Sequence, residues 1–305
     1  MVRRYGSGIM RNLLRPARTL SLMLAALVTL GAADLALTWW RYRAAIAGLA
    51  TDAPPETVYM ALRPDAGQPA SPWIWTALSD VGSISMCAVL ATEDPSFFNH
   101  GTVDWGSQDR LLRNVLRGDF SFGGSTIAQQ LARNLFLGPQ RTPRRKAREY
   151  VLAYAISHAL SKDRQLELYL NVVEWAPGVW GIGAASRHWF GKPPAALTPF
   201  EAVLLAALLP APRLGLAYAA TPAAQSQYDW VVRGLWKATL IDRVARGATA
   251  ARLQRWADHV NAARSPDAAR ALVEQELGPD IPVPQVEPEA GQARRVCDRG
   301  RRPRG

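Results

Sequence analysis

The chain has 305 residues, 49% of them hydrophobic, and carries a formal net charge of +11 at pH 7. The apolar content excludes an intrinsically disordered chain, and the length suits one principal domain with appendages rather than two large domains. The charge favours an anionic partner, which is a nucleic acid, a phosphorylated substrate or an acidic membrane surface.

The N-terminal forty residues favour a membrane among these partners. A basic segment, residues 1–18, precedes an apolar run from Leu20 to Leu37, and Thr38, Trp39 and Trp40 follow the run. With its flanks the run has the length of about 20 residues that a helix needs to cross the hydrocarbon core. A cleaved signal peptide is shorter and the tryptophan pair suits an interface, so we expect a retained transmembrane anchor over residues 19–40. The preceding arginines predict a cytoplasmic N-terminus, with the remainder of the chain outside.

The segments after the anchor give weaker signals. Residues 41–56 are predicted to be a linker, and a short strand is possible over Thr57–Leu62. Trp73 and Trp75 are expected in the core, with an extended segment at the membrane surface as the alternative. The two cysteines, Cys87 and Cys297, exclude a metal or disulfide framework. A single long-range bridge is compatible with an oxidising compartment, but we expect a buried free Cys87.

From residue 79 to residue 209 the apolar periodicity predicts a mainly α fold without βαβ units. The apolar stretch Ile84–Leu90 ends in two adjacent carboxylates, Glu93 and Asp94. A carboxyl group between an apolar wall and water can have its pKa raised towards neutral pH, as a general base requires. The alternative is a helix end followed by a solvated loop, with no chemistry.

The stretch Gly123–Leu137 predicts a glycine loop, an N-cap and an amphipathic helix. Its apolar residues fall on one face, whereas the other face carries amides, a hydroxyl and Arg133, unlike the Glu and Lys mixture of most solvated faces. Before it, a basic amphipathic helix is predicted over Asp109–Leu116, followed by a glycine-rich loop able to move over a groove.

A run of basic residues from Arg141 to Arg148 lies directly before Glu149 and an apolar helix, Tyr150–Leu160. Guanidinium groups match phosphate geometry and stabilise a leaving group's charge, so the run predicts a diphosphate site, with a solvated basic face as the alternative. Further helices are predicted downstream, and the Arg-rich tail is expected to be disordered. These helices cover Leu166–Asn171, Ala184–Phe190, Glu201–Leu209, Ala223–Arg246 and Ala251–Leu277, with a glycine-rich loop over 176–183.

Four stretches in this order, EDPSFFNHGTVD, GGSTIAQQLARNLFL, RRKAREYVLA and ELYLNVVEWAPGVWGIGAASRHWFGK, resemble the successive motifs of the peptidoglycan glycosyltransferases of glycosyltransferase family 51. The chain is most similar to the monofunctional biosynthetic peptidoglycan transglycosylases, over roughly residues 57–213. The resemblance implies a lysozyme-like domain over 57–216 with a small membrane-proximal jaw subdomain. A helical extension over 217–290 and the tail 291–305 would follow it.

The resemblance implies that the chain polymerises lipid II, with inversion at the anomeric carbon and release of undecaprenyl diphosphate. Glu93 would be the general base, and Glu149 would organise the donor side together with Arg133, Arg141 and Arg145. Arg133 stands where the family commonly has Lys, and Gly101–Thr102 departs from the family's loop. The substrate groove would be lined by Asp94, His100, Asp104, Ser125, Thr126, Gln129, Gln130, Asn134 and Asn171.

The same resemblance implies an inner-membrane enzyme with a periplasmic catalytic domain. Its partners would be lipid II, the undecaprenyl-diphosphate-linked glycan chain, membrane lipids and proteins of cell-wall synthesis and division, and not nucleic acid. No cofactor is required by the sequence, although Mg²⁺ or Mn²⁺ near the diphosphate is compatible with the family. Two alternatives stay open: a lysozyme-like enzyme that cleaves peptidoglycan, and an inactive membrane-anchored scaffold that binds glycan or lipid.

Overall fold

The computed structural model describes residues 7–54, 56–62, 72–106, 108–109, 113, 124–263, 271–272 and 297, with side chains from residue 19 onward. Within these residues the protein is mainly α-helical, as predicted, with one two-stranded antiparallel hairpin. The helices are α1 (Ser7–Gly48), α2 (Val58–Ala61), α3 (Ser83–Glu93), α4 (Ile127–Ala132), α5 (Pro143–Ala159), α6 (Lys162–Val172), α7 (Ile182–Phe190), α8 (Pro199–Leu208), α9 (Gly215–Ala219), α10 (Pro222–Lys237) and α11 (Arg243–Ala263). The strands are β1 (Glu174–Ala176) and β2 (Val179–Trp180).

Two buried clusters organise the helices. The larger cluster joins α3, α8, α10 and α11, with Ile84, Leu204 and Trp256 fully buried in it. The smaller cluster joins the C-terminal part of α1 to α4, α5 and α6 through buried apolar side chains such as Ile46 and Leu131. Because α3 belongs to the first cluster and α5 to the second, the two predicted carboxylates come from different halves of the core.

The first helix is longer than the predicted anchor. Its part Thr19–Gly48 is long and apolar enough to cross a membrane. The interval 41–56, predicted to be a linker, instead continues α1 to Gly48, and both Ile46 and Leu49 are buried against the catalytic part. The anchor and the folded domain are therefore joined by one continuous helix.

Three further expectations differ from the structure: those for Thr57–Leu62, for the loop over 176–183 and for Cys87. Thr57–Leu62 forms the short helix α2 and not a strand, because the Thr57 side chain accepts a hydrogen bond from Met60 N and caps it. The loop predicted over 176–183 contains the hairpin β1–β2, which turns at Gly178 with φ of 69°.

Cys87, expected to be a free buried thiol, forms a disulfide with Cys297 across a sequence separation of 210 residues. The expected disorder of the tail otherwise concerns residues outside the described part of the chain, as do most of the predicted helix Asp109–Leu116 and its following loop, where the jaw subdomain would lie. Trp73 and Trp75 are half-buried against the smaller cluster, in agreement with the expected core position.

Candidate active site

Glu93 is the last residue of α3, which ends there because Pro95 disfavours helical backbone at the preceding residue. Its Oε2 accepts a hydrogen bond of 2.8 Å from Gln130 Nε2 on α4. Burial of the carboxyl group raises the pKa of Glu93, although the Gln130 bond and the charge of Arg133 oppose the shift. The structure thus gives Glu93 the raised pKa that its sequence position predicts.

Tyr169 on α6 completes the surroundings of this carboxyl group. Its hydroxyl donates to Gln130 Oε1 over 3.3 Å, so Gln130 is fixed between the tyrosine and the carboxylate. Burial, with the nearby Glu93 charge, raises the pKa of Tyr169 well above its ordinary value. The phenol therefore stays protonated and holds the orientation of the amide.

Asp94 and His100 form a buried pair beside Glu93. His100 Nε2 lies 2.6 Å from Asp94 Oδ1, and its Nδ1 lies 2.8 Å from the Gly101 carbonyl oxygen. Both ring nitrogens face acceptors, which only the imidazolium can satisfy by donating from both. Burial lowers the pKa of His100, but the bonds to Asp94 and Gly101 outweigh it, and the pKa is raised. Since the other Asp94 oxygen accepts from Ile127 N over 3.0 Å, the pair fixes the start of α4 relative to Glu93.

Two residues predicted for the substrate groove also cap α4. Thr126 and Gln129 form a capping box, in which each side chain accepts a hydrogen bond from the other's backbone N–H. The Thr126 hydroxyl also donates to the Thr102 carbonyl over 2.8 Å. Asn134 is buried and donates to the Gln130 carbonyl over 2.8 Å. These side chains hold α4 in place, and Gln130 is the one that reaches Glu93.

Two other predicted groove residues also have internal partners. Asn171 is fully buried, and its side chain binds both the N–H and the carbonyl of Thr76, each over 2.8 Å. It fixes the extended segment that carries Trp73 and Trp75. Asp104 is half-buried and accepts from Gly106 N over 3.0 Å.

Glu149 lies on α5 and is 2% exposed. Its two oxygens accept hydrogen bonds from Arg145, one turn earlier, and from Lys146. Lys146 Nζ also donates to Ser125 Oγ over 3.1 Å, which connects Glu149 to the loop before α4. Lys146 belongs to the predicted basic run, but its pairing with Glu149 was not predicted, although the i,i+3 spacing is a signal for such a pair. The structure thus joins Glu149 to Arg145, its predicted donor-side neighbour, and also to Ser125 through Lys146.

The remaining arginines separate into two groups. Arg133 and Arg145 each have a buried Nε that lacks a hydrogen-bond partner among the described residues. Arg144 and Arg148 point the other way and bind Asp34 on α1. Arg141 is exposed before α5, and no ion pair or hydrogen bond joins its side chain to the described part of the site. Since buried donors are normally satisfied, Arg133 and Arg145 are the guanidinium groups best placed for an anionic ligand.

A metal site held by protein side chains is not apparent in the described part of the chain. No three His, Cys, Asp or Glu side chains there lie close enough to share an ion. The positive charge near Glu149 comes from Arg145 and Lys146. The donor set fits an anion and does not fit a resident divalent cation.

The comparisons with known proteins agree with this geometry. The family model described as Transglycosylase matches residues 69–235. A biosynthetic peptidoglycan transglycosylase of Azoarcus sp. (strain BH72) is 43% identical over 183 residues, which cover 58% of this chain and 75% of that protein. The protein of the same name from Nitrobacter winogradskyi is 50% identical over 126 residues, 41% of this chain and 56% of that one. That from Herminiimonas arsenicoxydans is 37% identical over 167 residues, 54% and 72% respectively.

Proposed function

The chain belongs to the transglycosylase family, and from this premise we propose that it polymerises lipid II at the site between α3, α4 and α5. The family match confirms the prediction of a peptidoglycan glycosyltransferase that acts in cell-wall synthesis, and with it a mainly α, lysozyme-like domain. In the proposed reaction the sugar of an undecaprenyl-diphosphate-linked chain moves to the 4-hydroxyl of a new lipid II. Inversion occurs at the anomeric carbon and undecaprenyl diphosphate leaves.

The observation that carries the mechanism is the half-buried carboxyl group of Glu93, which is held by Gln130 and whose pKa is raised. As the acceptor hydroxyl attacks the anomeric carbon, Glu93 takes its proton. A base is most effective when its pKa lies near the operating pH, and burial moves Glu93 in that direction. Gln130 keeps the receiving oxygen oriented through its 2.8 Å hydrogen bond.

On the donor side, the leaving diphosphate needs positive charge as the glycosidic bond breaks. Arg145 and Lys146 hold Glu149. The Nε atoms of Arg133 and Arg145, which have no hydrogen-bond partner in the described part of the chain, support the use of these arginines as donors to phosphate oxygens. Preorganised donors of this kind stabilise developing negative charge. Glu149 keeps the two cations of its own helix fixed, and the diphosphate role of Arg141 stays a prediction.

The described side chains do not form a cation site, and Mg²⁺ or Mn²⁺ near the diphosphate stays a prediction. A divalent cation would then be held mainly by the diphosphate itself. Mg²⁺ commonly binds through phosphate oxygens and water in this way.

For the location we propose an inner-membrane enzyme with a cytoplasmic N-terminus and a periplasmic catalytic part. The apolar helix Thr19–Gly48 supports the membrane anchor, and the arginines before it support the orientation. The Cys87–Cys297 disulfide supports an oxidising compartment for the catalytic part. Proteins of cell-wall synthesis and division remain predicted partners.

Incubation of the purified full-length protein with lipid II tests the proposal. We expect glycan polymer and released undecaprenyl diphosphate, and no cleavage of preformed glycan strands. Cleavage of the strands without consumption of lipid II would instead show a lysozyme-like hydrolase. Glycan binding with neither reaction would show a scaffold.

A further inference from the structure

Asp34 is an acidic residue inside the apolar stretch of α1. Its carboxylate is bound by two arginines of α5: Arg144 donates from Nε over 3.2 Å and from Nη2 over 2.7 Å, and Arg148 donates from Nε over 2.9 Å and also from Nη2. The Asp34 side chain is 17% exposed. Two bidentate arginines on one carboxylate are a specific arrangement, because each guanidinium fork matches a carboxylate.

The contact between α1 and α5 extends beyond this ion pair. One face of α1 carries half-buried or buried residues at four-residue intervals, at Asp34, Thr38, Tyr42 and Ile46, and Leu49 is buried in the turn that follows the helix. The Tyr42 and Phe136 rings lie 4.9 Å apart, next to the π-helical turn that follows α4. The outward half of the anchor is therefore docked on the catalytic part, with Asp34 at the membrane-proximal end of the docking face.

The depth of Asp34 in the membrane sets the position of α5 relative to the bilayer. It precedes Trp39 by five residues, which is about 8 Å along a helix. If Trp39 and Trp40 lie at the interface, Asp34 lies below it, where an unpaired carboxylate is costly and ionisable side chains pair with one another. Arg144 and Arg148 satisfy the charge, so the first turns of α5 are held at that depth.

A second face of α5 carries the donor-side residues. Arg145 and Lys146 bind Glu149 there, whereas Arg144 and Arg148 bind Asp34. Arg148 and Glu149 are consecutive and so point about 100° apart on the helix. The position of α5 about and along its axis that lets Arg144 and Arg148 bind Asp34 is therefore the same position that presents Glu149, Arg145 and Lys146 to the site.

We propose that Asp34 is a positioning residue of the glycosyl transfer: its ion pairs with Arg144 and Arg148 lock the membrane helix onto α5 and fix the donor side of the site relative to the bilayer. The inference rests on the proposed function. It assigns a role in the reaction to Asp34, a residue of the membrane anchor. Asp34 acts through α5 and not by contact with the substrate.

The test uses the full-length protein in lipid nanodiscs, with spin labels on cysteines introduced at the exposed positions Leu27 and Tyr154. The native cysteines are paired and do not take up label. We expect a narrow distance distribution between the labels in the otherwise unchanged chain and a broad one in the Asp34→Asn variant. Asp34→Glu keeps the charge and should keep the narrow distribution. Asp52→Asn, an exposed aspartate just beyond the same helix, is the matched control and should change neither distance nor activity.

The kinetic arm measures lipid II polymerisation by the same variants without labels. Asp34→Asn should lower kcat by about tenfold, within the range by which residues of one network couple, and change KM for lipid II less than about twofold. The double variant Arg144→Gln, Arg148→Gln should show the same decrease in kcat as Asp34→Asn. The triple variant that also carries Asp34→Asn should show little further decrease.

Several results would overturn the inference. An unchanged distance distribution or an unchanged kcat in Asp34→Asn would do so, as would an Asp34→Glu variant that behaves like Asp34→Asn. Additive losses in the triple variant would show that the residues act separately. If the unsubstituted protein makes no polymer, the proposed function and the catalytic part of this inference both fail, while the distances still decide whether Asp34 docks the helix.

Discussion

Gln130 controls how far the pKa of Glu93 is raised. Its hydrogen bond favours the charged carboxylate and so lowers the pKa that burial raises. Gln130→Ala should therefore raise the pKa further, and the acid limb of kcat/KM should move to higher pH. The base would be protonated over more of the acidic range, so the loss of activity should be largest at low pH. The measurement is the pH profile of polymerisation.

Gln254→Ala is the matched control for that experiment. Gln254 lies on α11 and donates to Asp258 over 3.0 Å, away from Glu93. Its profile should coincide with that of the unsubstituted protein. An acid limb that stays in place in Gln130→Ala would show that another group titrates in the reaction.

His100 gives the protein a second dependence on pH, this time in stability. Its pKa is raised in the folded protein, so its pairing with Asp94 stabilises fully below the unfolded pKa of about 6.5. The contribution is lost as pH rises through the folded pKa. The Tm of the unsubstituted protein should exceed that of His100→Gln at pH 5.5, and the difference should shrink as pH rises. A Tm difference that grows with pH would contradict the assignment of an imidazolium.

At the residue scale the sequence predicted the carboxylates better than their neighbours. Glu93 follows an apolar stretch and Glu149 follows a basic run, so both stood out. Within the basic run, spacing alone did not show which cations face Glu149 and which face α1, because that depends on a helix distant in the chain. The sequence also did not show that Thr126 and Asn171, which are predicted to line the groove, make hydrogen bonds inside the protein.

Among the elements, α4 depends on its N-terminal capping box for its position next to Glu93. Thr126→Ala should lower the free energy of unfolding by about 1 kcal/mol, the usual cost of losing such a cap. It should also lower polymerisation, because α4 carries Gln130. Thermal or denaturant unfolding and turnover are measured together.

The chain provides a matched control for this change in α8. Thr198 and Glu201 form the same capping box there. Thr198→Ala should cost a similar free energy of unfolding but leave polymerisation nearly unchanged. If both variants lose activity equally, stability alone explains the loss and α4 has no special role.

Apolar periodicity predicted the helices but not every break between them, and it did not predict the small elements. The helix predicted over Ala223–Arg246 instead ends at Lys237, and the next helix, Arg243–Ala263, runs through the predicted gap at 247–250. The predicted helix Ala184–Phe190 is observed as Ile182–Phe190, and Glu201–Leu209 as Pro199–Leu208. The hairpin β1–β2 has strands of three and two residues, too short for alternation to be read. The Pro177–Gly178 dipeptide, which favours a turn, was the sequence signal for this hairpin.

For the whole molecule, the disulfide ties the C-terminal tail to α3, the helix that ends in Glu93. Cys297→Ser should lower the free energy of unfolding by about 2–5 kcal/mol, the usual cost of losing a native disulfide. A reductant should destabilise the unsubstituted protein similarly and leave the variant unchanged. An unsubstituted protein that is indifferent to reductant would contradict the bridge.

Long-range pairings were beyond sequence reasoning for the same physical reason. Cys87 and Cys297 are 210 residues apart, and Asp34 is more than 100 residues from its arginines. Such contacts are fixed by how the helices pack, and no local pattern encodes them. The N-terminal apolar helix, long enough to cross a membrane, was predicted correctly, but its continuation into the core through Ile46 was not.

Replacement of Glu93 by Gln tests the central claim most directly, because the amide is nearly isosteric and cannot accept the proton. Polymerisation of lipid II by the full-length Glu93→Gln variant should fall by about 100-fold or more, with an unchanged Tm. Glu167→Gln, which alters a glutamate paired with Arg164, should retain activity. A Glu93→Gln enzyme that polymerises lipid II at the rate of the unsubstituted protein would contradict the assignment of Glu93 as the general base.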